Sequence, residues 1–213
     1  MDRLHAAATA EQRALYRLAS DLAGQGWVIA KQFISGNRLA ELSDAVKALW
    51  EQGQFHPAGI GRGVTSRRHG GIRGDYSLWL DECTVPAVTG FVRHELEALR
   101  RAVNAATCLG LFEFEGHLAV YPPGAGYARH LDQFQDAGER LVSVVLYLNA
   151  VWHAGGGGEL CLYPPKQPEE QSIVIPPLPG TLVVFLSAGM PHEVRPAGQM
   201  RFSLSGWFRR RPG

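Results

Sequence analysis

The chain has 213 residues, of which 46% are hydrophobic, enough to bury the core of one compact domain. The net charge of +1 excludes a general electrostatic attraction to nucleic acid or to an anionic membrane. Three widely spaced cysteines exclude a disulfide framework, and because neither a leader-like segment nor a run of about eighteen apolar residues occurs, we expect a cytoplasmic protein without a membrane span.

Helical patterns dominate the first half of the chain. Apolar residues at helical spacing predict one helix over Glu11 to Leu22, a second from Ser35 to about Gly53, and a third that opens at Thr84 and Pro86 and reaches Val103. Trp27 to Phe33 reads as a β-type run. Gly53 to Gly74 is rich in Gly and Arg without periodicity, which predicts a long, mobile surface loop. Residues 1–110 are therefore predicted to be a mainly helical support.

Short β-rich runs separated by Gly and Pro follow in the second half. They cover residues 111–121, 141–148, 159–163, 172–175, 181–186 and 202–208. Many short strands in succession indicate a barrel or a sandwich. We predict one α+β domain over residues 1–213, with the barrel core over 111–213.

Three distant side chains can meet at one metal ion. His130 and Asp132 are two residues apart, so on an extended segment both point to the same face. His192 follows the apolar run Thr181 to Leu186, and a barrel that folds this run back beside the first segment brings the three together. Two imidazoles and one carboxylate leave coordination positions open, which is typical of non-haem Fe(II) oxygenases.

Arg201 and Tyr147 extend this site. An arginine within an apolar strand must find a buried anion, and its guanidinium can bind a carboxylate of 2-oxoglutarate through two hydrogen bonds. Tyr147 can donate a phenolic hydrogen bond to the same carboxylate. The alternatives are a partly exposed strand arginine and, for Tyr147 and Tyr121, ordinary filling of the barrel.

Five motifs carry a family resemblance. They are Ile72-Arg73-Gly74-Asp75 with Trp79, Tyr121-Pro-Pro-Gly-Ala-Gly-Tyr127-Ala-Arg-His130-Leu-Asp132, Leu146-Tyr147-Leu148-Asn149, Pro191-His192-Glu193-Val194, and Arg201-x-Ser203. On these motifs the chain resembles the 2-oxoglutarate oxygenase superfamily and, within it, the bacterial and animal prolyl hydroxylases related to the oxygen-sensing enzymes. Ser203 and a Tyr121 to His130 segment one residue shorter than in the animal enzymes favour the bacterial branch.

The resemblance implies a double-stranded β-helix, a jelly-roll or cupin-like barrel, and a role for each of ten residues. It implies Fe(II) binding by His130, Asp132 and His192; a 2-oxoglutarate pocket with Arg201, Tyr147, Tyr121 and Ser203; a charged pair of Asp75 with Arg140 near the substrate entrance; and Trp207 beside the target proline. It also implies that the loop Gly53 to Gly74 closes over a bound peptide, with Arg62, Arg67 and Arg68 at its rim. The alternative for these arginines is a solvated loop.

The resemblance further implies the reaction. Fe(II), 2-oxoglutarate and O2, with ascorbate as a candidate reductant, would convert a prolyl residue of another protein into trans-4-hydroxyproline, with release of succinate and CO2. In the bacterial branch the implied substrate is elongation factor Tu. One alternative is an oxygenase with another substrate, either a small molecule or nucleic acid. The related nucleic-acid demethylases carry a second arginine where this chain has Trp207. The other alternative is a non-catalytic cupin-like metal-binding module. His69, His117 and His153 lack a carboxylate at strand spacing and are interpreted as surface or packed histidines.

Overall fold

A layer of helices backs a large antiparallel sheet in the computed structural model, which describes residues 9–59, 72–132, 138–165, 168 and 171–211. The helices are α1 (Ala10–Gln25), α2 (Gly36–Glu51), α3 (Pro86–Phe91) and α4 (Glu97–Thr107), and a π-helical turn, Val92–Leu96, joins the last two. The three predicted helices are confirmed, although the π-turn interrupts the third. Every helix within the described ranges falls short of the length and apolarity needed to cross a membrane.

The ends of α1 follow from local hydrogen bonding. The Thr9 hydroxyl accepts a hydrogen bond from the Gln12 amide, and the Gln12 side chain accepts one from the Thr9 amide. This reciprocal capping begins the helix one residue before the predicted start. Gly26 ends it in the left-handed region, at φ 84°, where its amide donates to the Leu22 carbonyl.

Eleven described strands form two sheets. They are β1 (Trp27–Ala30), β2 (His56–Pro57), β3 (Tyr76–Trp79), β4 (Leu111–Tyr121), β5 (Tyr127–His130), β6 (Arg140–Tyr147), β7 (Leu160–Leu162), β8 (Ile173–Ile175), β9 (Leu182–Leu186), β10 (His192–Val194) and β11 (Arg201–Arg210). The larger sheet has the order β1-β9-β6-β11-β4-β3-β2, and the smaller has the order β5-β10-β7-β8. All strand pairs are antiparallel. The predicted double-stranded β-helix with helical support is confirmed.

The alternation of side chains on the long strands separates two cores. On β4, Leu118 and Val120 belong to the core shared with the helices, whereas Ala119 and Tyr121 belong to the core between the two sheets. Because β11 pairs with β4 along its whole length, its odd-numbered residues also face the space between the sheets. Arg201 therefore points into the barrel.

The predicted loop over Gly53 to Gly74 is wrong in part. His56 and Pro57 form β2, which pairs with Ser77 and Tyr76 of β3. A two-residue strand is too short to show a period in the sequence, and only its pairing partner defines it. Arg62, Arg67, Arg68 and His69 lie outside the described residues.

Candidate metal and anion site

The smaller sheet and the turn after β5 bring three side chains together. His130 on β5 is the register partner of His192 on β10, and Asp132 follows two residues after His130. The His130 Nε2 atom lies 3.6 Å from one Asp132 carboxylate oxygen, and the His192 Nε2 atom lies 3.5 Å from the other. One ligand atom from each residue lies within 4.8 Å of the other two. The predicted convergence of this triad is confirmed.

Hydrogen bonds to the backbone orient both imidazoles. The Nδ1 atom of His130 donates to the Ala128 carbonyl at 2.8 Å, and that of His192 donates to the Met190 carbonyl at 3.0 Å. With the proton on Nδ1, each Nε2 presents a lone pair to the Asp132 carboxylate. Facing lone pairs repel one another unless a cation lies between them, so the donor set fits a divalent metal ion.

Neighbouring polar groups keep the Asp132 carboxylate ionised and oriented. Burial raises the pKa of this carboxyl, but His192 and His130 in their protonated forms, together with the Ser143 hydroxyl, outweigh it and hold the pKa below its ordinary range. The Ser143 hydroxyl donates to an Asp132 oxygen at 2.7 Å and lies 2.9 Å from the Ser187 hydroxyl, and both serines are almost fully buried. The pair fixes the orientation of the carboxylate, which has one oxygen against each imidazole.

Replacing Ser143 with alanine is expected to weaken metal binding by about 10- to 100-fold, because the carboxylate loses the hydrogen bond that orients it. Anaerobic calorimetry with Mn(II) measures this affinity. Ser43→Ala is the matched control, since the Ser43 hydroxyl is also buried but donates to the Leu148 carbonyl on the helical side of the sheet. Equal metal affinities in the two variants would contradict the orienting role.

Arg201 is a buried cation without a carboxylate partner among the described residues. Its side chain is among the largest that are fully buried, with 1% of its surface exposed. The guanidinium donates to the Ser203 hydroxyl at 3.3 Å and lies 4.7 Å and 5.0 Å from the ring centroids of Tyr121 and Tyr147. Within the described part of the chain, Arg201 Nε and the Tyr147 hydroxyl are both buried without a hydrogen-bond partner. An uncompensated buried charge is strongly unfavourable, so these two groups fit a carboxylate ligand.

Gly158 makes room for this guanidinium, a role that the sequence analysis missed. A Cβ atom at Gly158 would lie 3.1 Å from Cδ of Arg201, and the residue has φ +66°. Only glycine combines that backbone conformation with so close an approach at little cost.

One cavity of about 130 Å³ connects the triad with Arg201. Tyr121, Arg140 and Trp207 line it, as do Tyr127 and Arg73. Tyr127 stacks on His130 with ring centroids 3.6 Å apart, and the Arg73 guanidinium lies 4.7 Å from the centroid of the Tyr127 ring. The contacts of Tyr127 with His130 and with Arg73 were not predicted, because the residue types alone do not indicate which rings and guanidinium groups stack before the fold is known.

The predicted pair of Asp75 with Arg140 is wrong in this structure. Both Asp75 oxygens accept hydrogen bonds from Arg73, at 2.7 Å and 2.9 Å. Arg140 instead donates to Glu115 at 3.0 Å and lies 3.5 Å from the centroid of a Trp207 ring. Asp75 and Arg140 each have a nearer counter-ion. The Arg73 guanidinium binds both oxygens of the Asp75 carboxylate, and Glu115 binds Arg140.

His117 was interpreted as a surface or packed histidine, and it is packed. It lines the cavity with 4% of its surface exposed, and its ring lies 5.0 Å from that of Trp79 and 5.8 Å from that of Trp207. His117 and Tyr121 are four residues apart on β4, so their side chains point to the same face of the strand. This spacing was the signal in the sequence that His117 faces the barrel interior. The pKa of His117 is lowered to about 4, mainly by burial and also by Arg73 and Arg140, whereas Asp75 and Asp132 oppose this shift.

This buried imidazole is expected to make the metal-free fold sensitive to acid. The pKa of His117 is about 4 in the fold against 6.5 ordinarily, so between these values the unfolded chain binds more protons. The free energy of unfolding therefore decreases as the pH falls from 6.5 to 4, by at most about 3 kcal/mol from this group. Urea unfolding across this window is expected to show a steeper loss for wild type than for His117→Leu. Equal slopes would contradict the prediction.

The chain is similar to known proteins in both sequence and fold. The sequence model of the 2OG-Fe(II) oxygenase superfamily matches residues 116–209. Egl nine homolog 1 from Homo sapiens is 27% identical over 191 residues, which cover 86% of this chain. The chain spans about half the length of the curated relatives it matches, between 43% and 55% for three mammalian forms of Egl nine homolog 1.

Two solved structures are similar over nearly the whole chain. A prolyl-4-hydroxylase from Pseudomonas putida is 39% identical with a TM-score of 0.82, and the match covers 92% of this chain and 99% of that one. A prolyl hydroxylase from Trichoplax adhaerens, solved with a peptide of the hypoxia-inducible factor oxygen degradation domain, is 28% identical. Its TM-score is also 0.82, with coverage of 93% of this chain and 90% of that one.

Proposed function

The chain belongs to the 2OG-Fe(II) oxygenase superfamily, and from this premise we propose that it hydroxylates a prolyl residue of another protein at C4. The co-substrates are 2-oxoglutarate and O2, and the products are trans-4-hydroxyproline, succinate and CO2. The observation that carries the proposal is the likeness, over nearly the whole chain, to the Pseudomonas putida prolyl-4-hydroxylase.

The triad is assigned to Fe(II). Its two Nε2 lone pairs and one ionised carboxylate oxygen would hold the ion, and this donor set is typical of non-haem Fe(II) oxygenases. The Nδ1 hydrogen bonds to Ala128 and Met190 hold the imidazoles in the tautomer that a metal needs. Ser143 holds the carboxylate.

Arg201 and Tyr147 are assigned to the distal carboxylate of 2-oxoglutarate. The guanidinium supplies two parallel donors and the phenol a third. Ser203 fixes the guanidinium from one side, and the Tyr121 ring lies next to it. Bound there, the co-substrate compensates a charge that otherwise has no counter-ion among the described residues.

The iron and its co-substrate supply the oxidising power for an unactivated C–H bond, and the protein supplies position and a water-poor site. The cavity of about 130 Å³ admits a residue of limited size beside the metal ligands. Trp207, held under the Arg140 guanidinium, forms the wall against which the proline ring is placed. Asp75 has a different task from the one predicted, because it anchors Arg73 at the cavity.

Elongation factor Tu is the protein substrate that we propose, on the resemblance to the bacterial branch carried by Ser203 and the segment from Tyr121 to His130. A cytoplasmic location, where that factor acts, belongs to the same proposal.

The test uses purified protein with Fe(II), 2-oxoglutarate and ascorbate, and elongation factor Tu, an unrelated proline-rich protein or methylated DNA as the acceptor. Succinate formation that depends on elongation factor Tu, with a gain of one oxygen on a proline by tandem mass spectrometry, supports the proposal. If only the unrelated proline-rich protein gains an oxygen on a proline, elongation factor Tu is not the substrate. Stimulation by methylated DNA favours a demethylase, and no succinate with any acceptor favours a metal-binding module.

A further inference from the structure

His117 stands in a row of interior-facing side chains across three strands. On β4 it is opposite Trp79 of β3 and Ser205 of β11. It has the same parity as Ala119 and Tyr121, which pack between the two sheets. Its ring therefore faces the cavity that also contains the triad.

The imidazole of His117 is buried, and one of its two nitrogens has no hydrogen-bond partner among the described residues. Its Nδ1 atom is buried and unbonded. The neighbouring Trp207 does not satisfy it, because the Trp207 indole nitrogen is itself buried without a hydrogen-bond partner among the described residues. Unsatisfied buried polar atoms cost free energy, so an apolar side chain would serve packing alone better.

The location of the proton follows from this burial. Among backbone groups an unpaired buried N–H is rarer than an unpaired acceptor, and by the same reasoning we assign the lone pair of His117 to the unbonded Nδ1 and the proton to Nε2. Burial and the nearby guanidinium groups of Arg73 and Arg140 keep the ring neutral. The nitrogen left to a molecule in the cavity is thus a single neutral donor.

A lone donor matches the peptide bond before proline. The proline nitrogen carries no hydrogen, so this peptide unit offers an acceptor and no donor. We propose that His117 is a specificity-determining residue whose Nε2–H donates a hydrogen bond to the main-chain carbonyl next to the target proline. The inference rests on the proposed prolyl hydroxylation and deepens it, because it names a residue that positions peptidyl proline.

The experiment compares His117→Leu, which removes the donor, with His117→Gln, which retains an N–H donor. We expect His117→Leu to raise KM for elongation factor Tu about tenfold and KM for 2-oxoglutarate by less than about twofold, as for loss of one hydrogen bond to substrate. We also expect more succinate formed per hydroxyproline, because the proline is poorly positioned. His117→Gln is expected to recover most of the loss. His94→Leu, at an exposed position in the π-helical turn, is the control and is expected to match wild type.

Each other outcome overturns the inference in a distinguishable way. If wild type hydroxylates the substrate and His117→Leu has the same KM for it, the inference fails and the proposed function stands. If His117→Leu raises both KM values and His117→Gln rescues neither, the residue is structural. If wild type forms no hydroxyproline on any protein offered, the proposed function fails and the inference fails with it.

Discussion

Replacing His130 with alanine is expected to abolish metal binding and turnover. The variant keeps only His192 and Asp132 as ligands, and the stacking contact with Tyr127 is lost as well. Removing a residue that orients a ligand typically weakens metal affinity by 10- to 100-fold, so removing the ligand itself is expected to cost more than about 100-fold. Anaerobic Mn(II) calorimetry and succinate formation measure the two effects separately.

His153→Ala is the matched control for this variant. His153 is exposed in the turn after β6, so the substitution removes an imidazole without touching the cavity. Wild-type activity is expected. Full activity in His130→Ala would show that the triad is wrongly assigned, whereas equal losses in both variants would point to a general effect of removing a histidine.

Replacing Arg201 with alanine is expected to raise KM for 2-oxoglutarate and to leave Mn(II) affinity close to that of wild type. A hydrogen bond to a charged group contributes about 1.5 to 3 kcal/mol, so the loss of both bonds of the fork is expected to raise KM at least about 100-fold. Arg201→Lys retains the charge but not the planar fork, so its KM for 2-oxoglutarate is expected to lie between those of wild type and Arg201→Ala. Steady-state kinetics with varied 2-oxoglutarate give all three values.

The stability of the ligand-free protein distinguishes this role from a structural one. If Arg201 serves mainly to bind an anion, its charge is uncompensated in the ligand-free state, and Arg201→Leu is expected to melt at the same temperature as wild type or higher. A variant with unchanged KM for 2-oxoglutarate and a much lower melting temperature would assign Arg201 to the fold instead.

The sequence predicted the long elements well, and among the short strands it predicted β1, β7 and β8 but not β2, β3, β5 and β10. The strand over Leu111 to Tyr121 was predicted with its observed bounds, because a long β-rich run bounded by turn residues is a strong local signal. The strands β5 and β10, which carry both histidines of the triad, were not predicted. They have four and three residues and include charged or polar side chains, so they exist mainly because of their partners, β10 for β5, and both β5 and β7 for β10.

The same distinction applies to the site. The triad and Arg201 could be predicted because their residue types have few uses at such positions in a barrel. Ser143, Tyr127 and Gly158 could not, since their roles arise from contacts between elements distant in sequence. The pairing of Asp75 failed for a related reason, because the resemblance could not show that Arg73 lies within reach of the same carboxylate.

His130 and His192 occupy the same rung of the ladder between β5 and β10. Few backbone hydrogen bonds join these two short strands. A metal ion bound by both histidines would therefore add a link that stabilises their pairing. The amide hydrogens of residues 127–130 and 192–194 should then exchange with solvent more slowly after Mn(II) is added, while those of β4 and β11 should change little. Metal loading would in this way govern the local opening of the smaller sheet as well as its chemistry.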